Sequence, residues 1–596
     1  MAIDELMSRV DGKVSPEAAA NINMWLTEPK YAMYADAVRQ MILDEQWKEL
    51  EDAFFKVVEF GTGGRRGTTG VGSNRINKVT IGESAQALCR YVAGVNDQAA
   101  EQGIVIAYDT RLSSEELSQY TATVCAANGF KVYLFEGFRA TPELSFAVRH
   151  LGAAAGIVIS ASHNPPADNG FKAYWSDGGQ LVAPHDRGVL DEAANITTIA
   201  TMDYQEALRS GRIQLIGEEV DAAYYRAVTT EALGQDRDLK IIYSPLHGAG
   251  QTSVLPALRH AGFINISTVT PQMVPDGHFP TVPGGKANPE EAGANQMAVE
   301  QMLAEGADIT ITNDPDADRI GVMVNQRGKA IQLNGNQSAA LAADFALQRL
   351  QSAGELSSKH YLAKTIVTTE LLAAVAQAYG ATLYTNMLVG FKFISDLIRR
   401  KEGTDEVFVL GGEESYGLLK GTYARDKDGA AGALMLAEYA AQLKSEGKTL
   451  YDRLLELFDE HGIYYETLVN VQLPGADGFK RMQTIMARLR NNPPTSLAGY
   501  DVSAVSDYTT LTRRDINTGR EGEIDCLAGN VLVFELGDSR RRVTVRPSGT
   551  EPKLKLYVQW FAERDKELGT VDEQYITVID DVTALTKRIE QEILDE

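Results

Sequence analysis

The stretch AAGIVISASHNP, residues 154–165, decides the architecture. Ala155 to Ile159 are all apolar or small, and the chain then breaks at once into Ser160, Ser162, His163, Asn164 and Pro165. A short apolar run without polar interruption reads as a strand covered on both faces. The loop at its carboxyl end is where an open α/β sheet presents polar groups to a ligand. The pattern recurs outward in both directions, in GIVIAYDTR (103–111), LKIIYSPLHG (239–248), ADITITNDPDADR (307–319), KTIVTT (364–369) and EVFVLGGEES (406–415). Such runs alternate with helical segments, which predicts α/β domains with at least partly parallel sheets.

The chain has 596 residues, and single cores rarely grow past about 250 residues. Three tandem mixed α/β domains are expected, followed by a smaller α+β domain built from YYETLVNVQL, a helix over GADGFKRMQTIMARLRNN, VLVFEL, RRVTVRPSGTEPKLKLYVQWFA and a final helix. The expected divisions are 1–236, 237–330, 331–462 and 463–596. Residues 16–60 read as an amphipathic helical extension of domain 1, with Ser15 as N-cap ahead of Pro16.

Against 57 Lys and Arg stand 81 Asp and Glu, a net charge of -24, which disfavours a nucleic-acid partner. The three cysteines, Cys89, Cys125 and Cys526, offer neither a disulfide framework nor a C-x-x-C metal spacing. The amino terminus lacks a signal-peptide core, and no apolar stretch approaches the roughly 20 residues of a membrane helix. A cytoplasmic protein with no membrane partner is expected.

Four loops carry chemistry. In Ser160-Ala161-Ser162-His163-Asn164-Pro165, Ser162 could serve as a nucleophile, although no triad order or G-x-S-x-G elbow surrounds it and a structural turn fits the loop alone. Asp314, Asp316 and Asp318 alternate in Asn313-Asp314-Pro315-Asp316-Ala317-Asp318-Arg319. In extended chain they would point the same way and favour a hard divalent cation such as Mg²⁺. An EF-hand is excluded, because Arg319 stands at its glycine position and Asn325 at its glutamate position. Glu413 and Ser415, in Gly411-Gly412-Glu413-Glu414-Ser415-Tyr416-Gly417, suit sugar hydroxyls, and a solvated turn fits equally. Arg546-Pro547-Ser548-Gly549-Thr550-Glu551 offers a guanidinium, two hydroxyls and backbone amides, the composition of a phosphate cradle or of an ordinary β-turn. The glycine-rich FGTGGRRG (60–67) lacks P-loop spacing, though its Arg66 could meet phosphate.

Together and in this order, the four loops resemble those of the α-D-phosphohexomutase superfamily: a phosphoserine loop, a D-x-D-x-D-R metal loop, a G-E-x-S sugar loop and an R-x-S-x-T phosphate loop. FGTGGRRG, YDTR (Asp109, Arg111), PLHGAG, Asn288-Pro289-Glu290 and Gly390-Phe391-Lys392 also look like the family, over roughly residues 60–560. The helical extension looks closest to the branch of bacterial phosphoglucomutases and related phosphopentomutases. Arg65 departs from a usual leucine, and a histidine that some members place after the sugar loop is missing beside Tyr416-Gly417.

The resemblance implies a four-domain enzyme around a central cleft that interconverts glucose 1-phosphate and glucose 6-phosphate. Phosphoserine at Ser162 completes the Mg²⁺ shell of Asp314, Asp316 and Asp318, and a sugar 1,6-bisphosphate serves as intermediate and activator. It implies Lys172 as acid/base, Arg66, His163 and Arg319 as electrostatic helpers, Glu413 and Ser415 on the sugar, and Arg546, Ser548, Gly549 and Thr550 on the non-reacting phosphate. Pentose or mannose phosphate is the alternative substrate. A metal-dependent phosphatase or a catalytically silent sugar-phosphate sensor explains the four loops less completely.

Overall fold

Ser15 caps its helix as the sequence implies: the hydroxyl accepts from the Ala18 amide at 3.2 Å, with Pro16 in the first turn. The amphipathic helical extension expected over 16–60 is divided into separate helices in the computed structural model, which describes residues 2–59, 64–473, 475–548 and 553–595. Helix α1 is Ile3–Val10, α2 Pro16–Thr27, α3 Ala32–Leu43 and α4 Trp47–Phe54. Pro29 interrupts the path from α2 to α3, and Glu45, at φ 54°, ends the next segment. Broken in this way, the apolar stripes fold onto one another. Trp25 stacks on Tyr31 at 4.8 Å and meets Phe54 edge-on at 5.4 Å.

The chain forms two compact units. The first comprises Met1–Ala232, Lys240–Gly321 and Thr422–Leu434; the second comprises Leu233–Leu239, Val322–Gly421 and Met435–Glu596.

In the first unit, strands β1 (Gly64–Thr68), β2 (Ile104–Tyr108), β3 (Val132–Phe135), β4 (Ala155–Ile159), β5 (Asp168–Trp175) and β6 (Ile213–Ile216) form a sheet of order β1-β5-β4-β2-β3-β6. The pairs β4–β2, β2–β3 and β3–β6 are parallel, while β1–β5 and β5–β4 are antiparallel. Strands β2 and β4 are buried at every position, which is why they read as unbroken apolar runs. Helix α5 (Lys78–Val95), closed by a capping box at Asn77 and Thr80, covers this core with Ser114–Ala127. Strands β7 (Ile241–Ser244), β8 (Ile266–Thr268) and β9 (Ile309–Asn313) form a second parallel set with β7 in the middle.

In the second unit, β10 (Ile320–Gln326) pairs antiparallel with β11 (Lys329–Leu333) through Val322–Gln326. Strands β12 (His360–Thr365), β13 (Thr382–Met387), β14 (Val407–Gly412) and β15 (Leu418–Lys420) form a mixed sheet of order β13-β12-β14-β15. The tail is α+β, as expected. Strands β16 (Ile463–Gln472), β17 (Ser496–Leu497), β18 (Tyr500–Asp507), β19 (Thr512–Asp515), β20 (Glu521–Glu523), β21 (Leu532–Leu536), β22 (Asp538–Pro547) and β23 (Lys553–Ala562) make an antiparallel sheet of order β16-β23-β22-β21-β18-β19-β20, with β17 paired to β18. Helices Gly475–Asn491 and Val571–Leu594 bury Met482, Ile485, Leu489, Val582, Leu585 and Ile589 in its core. Among the described residues no helix is long and apolar enough to cross a membrane.

Candidate active site

Ser162 follows β4 in a loop organised by a single guanidinium. Arg111 donates to the carbonyls of Ser162 (2.6 Å), Asn164 (2.5 Å), Pro165 (2.7 Å) and Asp168 (2.9 Å). Its own position is fixed by Asp109, whose carboxylate lies 3.3 Å from Arg111 Nε and accepts from the Arg111 amide (3.0 Å) and the Ser114 hydroxyl (2.6 Å). Burial raises the Asp109 carboxyl and lowers the Arg111 guanidinium, and each is the other's main compensation. The YDTR stretch is therefore the frame of the serine loop. Ser162 takes φ 54°, costly for a residue with a Cβ, and its amide donates to Ser160 Oγ at 2.8 Å. That conformation directs Ser162 Oγ to Asp314 Oδ2 at 2.7 Å and within 3.2 Å of His163 Nδ1.

Asp314, Asp316 and Asp318 are buried, and one carboxylate oxygen from each lies within 4.8 Å of the others. The extended chain expected for them is replaced by a tight turn. The Ala317 amide donates to Asp314 O at 2.9 Å, and Ala317 sits at φ 52°. Alternation along a strand is thus not what brings the three together. Two glycines let the turn pack: a Cβ on Gly248 would lie 2.5 Å from Pro315 Cα, and one on Gly429 would lie 2.5 Å from Ala317 O. Gly248 belongs to the PLHGAG stretch, which gives that stretch its purpose. Thr141 holds the turn from the other side, its amide on Asp316 O at 2.9 Å and its hydroxyl on Asp316 Oδ2 at 2.7 Å.

Cations surround this acidic centre. Lys172, on β5, places Nζ 2.5 Å from Asp316 Oδ2 and 3.7 Å from Asp318 Oδ2. Lys427 Nζ lies 2.7 Å from Asp318 Oδ2. Arg319 donates to Glu290 at 2.7 Å, and its Nε stands 3.9 Å from both Asp314 Oδ2 and Asp318 Oδ1. Burial alone would raise Asp316, but Lys172, then Thr141, hold it below the usual carboxylate range. Asp314 goes well above that range, first through burial and then through Asp318 and Asp316. Asp316 Oδ1 and Asp318 Oδ1 are buried and have no hydrogen-bond partner among the described residues. Orphaned carboxylate oxygens converging in this way fit a hard cation bound through oxygen.

Arg66, on β1, reaches Asn164 Oδ1 at 3.4 Å, so Arg66, His163, Lys172 and Arg319 all stand around Ser162 and the aspartates. Lys427 escapes a reading by loops at strand ends. It lies in Thr422–Leu434, which returns to the first unit after the chain has built β12 to β15. Arg425 N donates to Ser145 Oγ (2.7 Å), Tyr174 to Asp426 (2.8 Å) and Tyr224 to Asp428 (2.8 Å), seating the segment. Its one sequence signal is RDKDG, a dense charge cluster opening directly into an alanine-rich helix.

The other two loops lie in the second unit. Gly411 and Gly412 end β14, the Glu413 amide donates to Gly417 O at 2.9 Å, and Glu413 is buried beside half-buried Ser415. Gly335 admits this loop, since a Cβ there would lie 2.2 Å from Glu414 O. Arg546 lies one residue before the end of β22, opposite Lys555, and the Ser548 amide donates to Lys553 O at 2.9 Å. Gly549 and Thr550 lie outside the described residues. Buried Tyr557 feels both loops: burial and then Glu414 raise its hydroxyl, and Arg546 opposes them.

Known proteins agree with this arrangement domain by domain. Residues 57–200 match phosphoglucomutase/phosphomannomutase alpha/beta/alpha domain I, 222–328 domain II, 334–461 domain III and 468–575 the C-terminal domain. A phosphoglucomutase of Staphylococcus aureus strain MRSA252 is 36% identical over 522 residues, covering 86% of this chain and 92% of its own. That of strain bovine RF122 / ET3-1 is 35% identical over 526 residues, covering 86% and 91%. In fold, the chain is similar to pp63/parafusin (phosphoglucomutase) from Paramecium in its open form, at TM-score 0.66, 17% identity and 90% and 94% coverage. It is likewise similar to a phosphoglucomutase/phosphomannomutase family protein from Burkholderia thailandensis, at TM-score 0.63, 18% identity and 90% and 97% coverage. With all four domains matched in order, the chain belongs to the phosphoglucomutase/phosphomannomutase family.

Proposed function

We propose that this chain is a phosphoglucomutase, interconverting glucose 1-phosphate and glucose 6-phosphate by passing a phosphoryl group through Ser162. The observation that carries the reading is the Ser162 hydroxyl 2.7 Å from Asp314, in a carboxylate cluster flanked by Lys172 and Lys427. Asp314, Asp316, Asp318 and an oxygen on Ser162 would hold Mg²⁺, which when bound neutralises charge on the transferring phosphoryl group.

The sugar hydroxyl attacks phosphorus on phosphorylated Ser162 and its proton passes to an oxygen of the transferring phosphoryl group, while the O–P bond to Ser162 breaks and the serine oxygen takes up a proton. Lys172 is the acid/base group nearest this exchange, giving a proton to Ser162 and recovering it when the serine is phosphorylated again. Lys427 acts as a fixed positive charge on Asp318 Oδ2, the oxygen that Lys172 also approaches. Arg66, His163 and Arg319 add positive charge or hydrogen-bond donors around the transferring group. The glucose 1,6-bisphosphate so formed must turn over before it returns its other phosphate, so added bisphosphate should activate. We assign Glu413 and Ser415 to sugar hydroxyls, and Arg546, Ser548, Gly549 and Thr550 to the phosphate that is not reacting.

The test is an assay with glucose, mannose and ribose 1-phosphates plus bisphosphate activator, reading isomerised sugar phosphate and free phosphate together. Glucose 6-phosphate should form with the highest kcat/KM and without matching release of phosphate. Stoichiometric phosphate release would indicate a phosphatase, and a clearly higher kcat/KM for ribose or mannose 1-phosphate would move the substrate assignment.

A further inference from the structure

The helical bundle of residues 3–54 precedes the first matched domain, and nothing in the proposed chemistry uses it. It nevertheless sends one charged side chain into the body of the first unit. Lys30 lies at the break between α2 and α3, and its Nζ contacts Glu83 Oε1 at 2.8 Å and donates to Ile196 O at 3.0 Å. The other oxygen of Glu83 takes Arg65 Nη1 at 2.9 Å, and the same Nη1 donates to Thr80 O at 2.7 Å. All three side chains are nearly buried, with exposures of 11% for Lys30, 10% for Glu83 and 6% for Arg65. Burial depresses the Lys30 amine, but Glu83 more than offsets this, so the amine stays charged.

Arg65 and Arg66 are consecutive on β1, so their side chains leave opposite faces of the strand. One face carries Arg65 to the Glu83 centre, and the other carries Arg66 to Asn164 of the serine loop. Strand β1 is the edge of its sheet and pairs only with β5, through Arg65 with Phe171 and Arg66 with Gly170. Away from β5, the described backbone of β1 is held at its Thr68 end, where Thr68 O accepts from the Ile76 amide at 2.9 Å. Next to Arg66, the Arg65 guanidinium anchors the strand to a carboxylate that Lys30 shares.

We infer that the N-terminal bundle takes part in catalysis: Lys30, acting through Glu83 and Arg65, positions Arg66 at the phosphoserine loop. The inference rests on the mutase reading, and Lys30 is a positioning residue that touches no substrate. The bundle has independent seats, so losing Lys30 does not unmoor it. Arg75 pairs with Glu49 (2.8 Å) and Asp52 (2.7 Å), and Ser73 donates to Lys56 O at 2.6 Å.

The experiment is a double-mutant cycle in the full chain, with Lys30→Met, Lys30→Arg and Arg66→Ala, read as kcat and KM for glucose 1-phosphate, Ser162 phosphorylation and melting temperature. Lys30→Met should lower kcat/KM about tenfold with Ser162 still phosphorylated, Lys30→Arg should come back to within about twofold of wild type, and in the Arg66→Ala background Lys30→Met should cost less than about twofold more. An unchanged kcat/KM in Lys30→Met, or the same loss with and without Arg66, overturns the inference. Should Lys30→Met fail to fold, Lys30→Gln, which keeps a donor for Ile196 O, is read against the same two outcomes. A wild-type protein unable to isomerise sugar phosphates would count against the mutase reading, whereas an active wild type with an indifferent Lys30→Met counts against this inference alone.

Discussion

Glu143 lies in the first turn of the helix that begins with Thr141, the residue bonded to Asp316, and its buried carboxyl meets that of Asp221. Arg139 stands 4.0 Å away but is already engaged by both oxygens of Asp221, at 2.8 Å each. Burial first, and then Asp221, push the Glu143 carboxyl well above 4.5. The folded protein thus keeps a proton that the unfolded chain releases. This group's contribution to stability declines as pH rises past the unfolded value toward the folded one. Glu143→Gln should raise the melting temperature by a margin that is small near pH 4.5 and grows toward about pH 7.5. A margin equal at both pH values would contradict the assignment. At the acidic centre, Lys427→Met should lower kcat on the order of a hundredfold in steady-state assays, because it removes a fixed charge beside Asp318. A loss below about threefold would make Lys427 a structural ion-pair partner.

The four loops are shared out between the two units. Ser162 and the three aspartates belong to the first unit and Arg546 to the second. Arg546→Ala should therefore raise KM for glucose 1-phosphate about 30-fold, the equivalent of about 2 kcal/mol of charge-assisted contact, and increase the need for added bisphosphate. Ser162 phosphorylation should persist, and an unchanged KM would reduce residues 546–548 to an ordinary turn. At this scale the sequence was legible where a buried strand ends in polar residues, as at Ile159–Ser160 and Asn313–Asp314, because burial on both faces writes an unbroken apolar run. It was silent on β19 and β20, whose exposed polar residues, TRRD and EGE, carry no apolar alternation. It also hid the turn at Ala317, since a positive φ at alanine leaves no mark in residue type, and it hid Lys427, which reaches the aspartates only because the chain doubles back. In the N-terminal region the helical period was real, but Pro29 and Glu45 cut it into separate helices.

For the molecule as a whole, a net charge of -24 opposes phosphate ligands, so their binding must depend on locally gathered cations and on a metal that offsets the aspartates. Excess EDTA should abolish turnover and added Mg²⁺ should restore it, while full activity in EDTA would mean that the transfer needs no metal. Passage of the phosphoryl group through Ser162 can be followed by intact-mass analysis with peptide mapping across one turnover. Incubation with glucose 1,6-bisphosphate should leave a single phosphoryl group on Ser162, and adding glucose 1-phosphate should remove it as bisphosphate appears. A protein that isomerises glucose 1-phosphate with Ser162 never modified, or equally well as Ser162→Ala, would not pass the phosphoryl group through this serine.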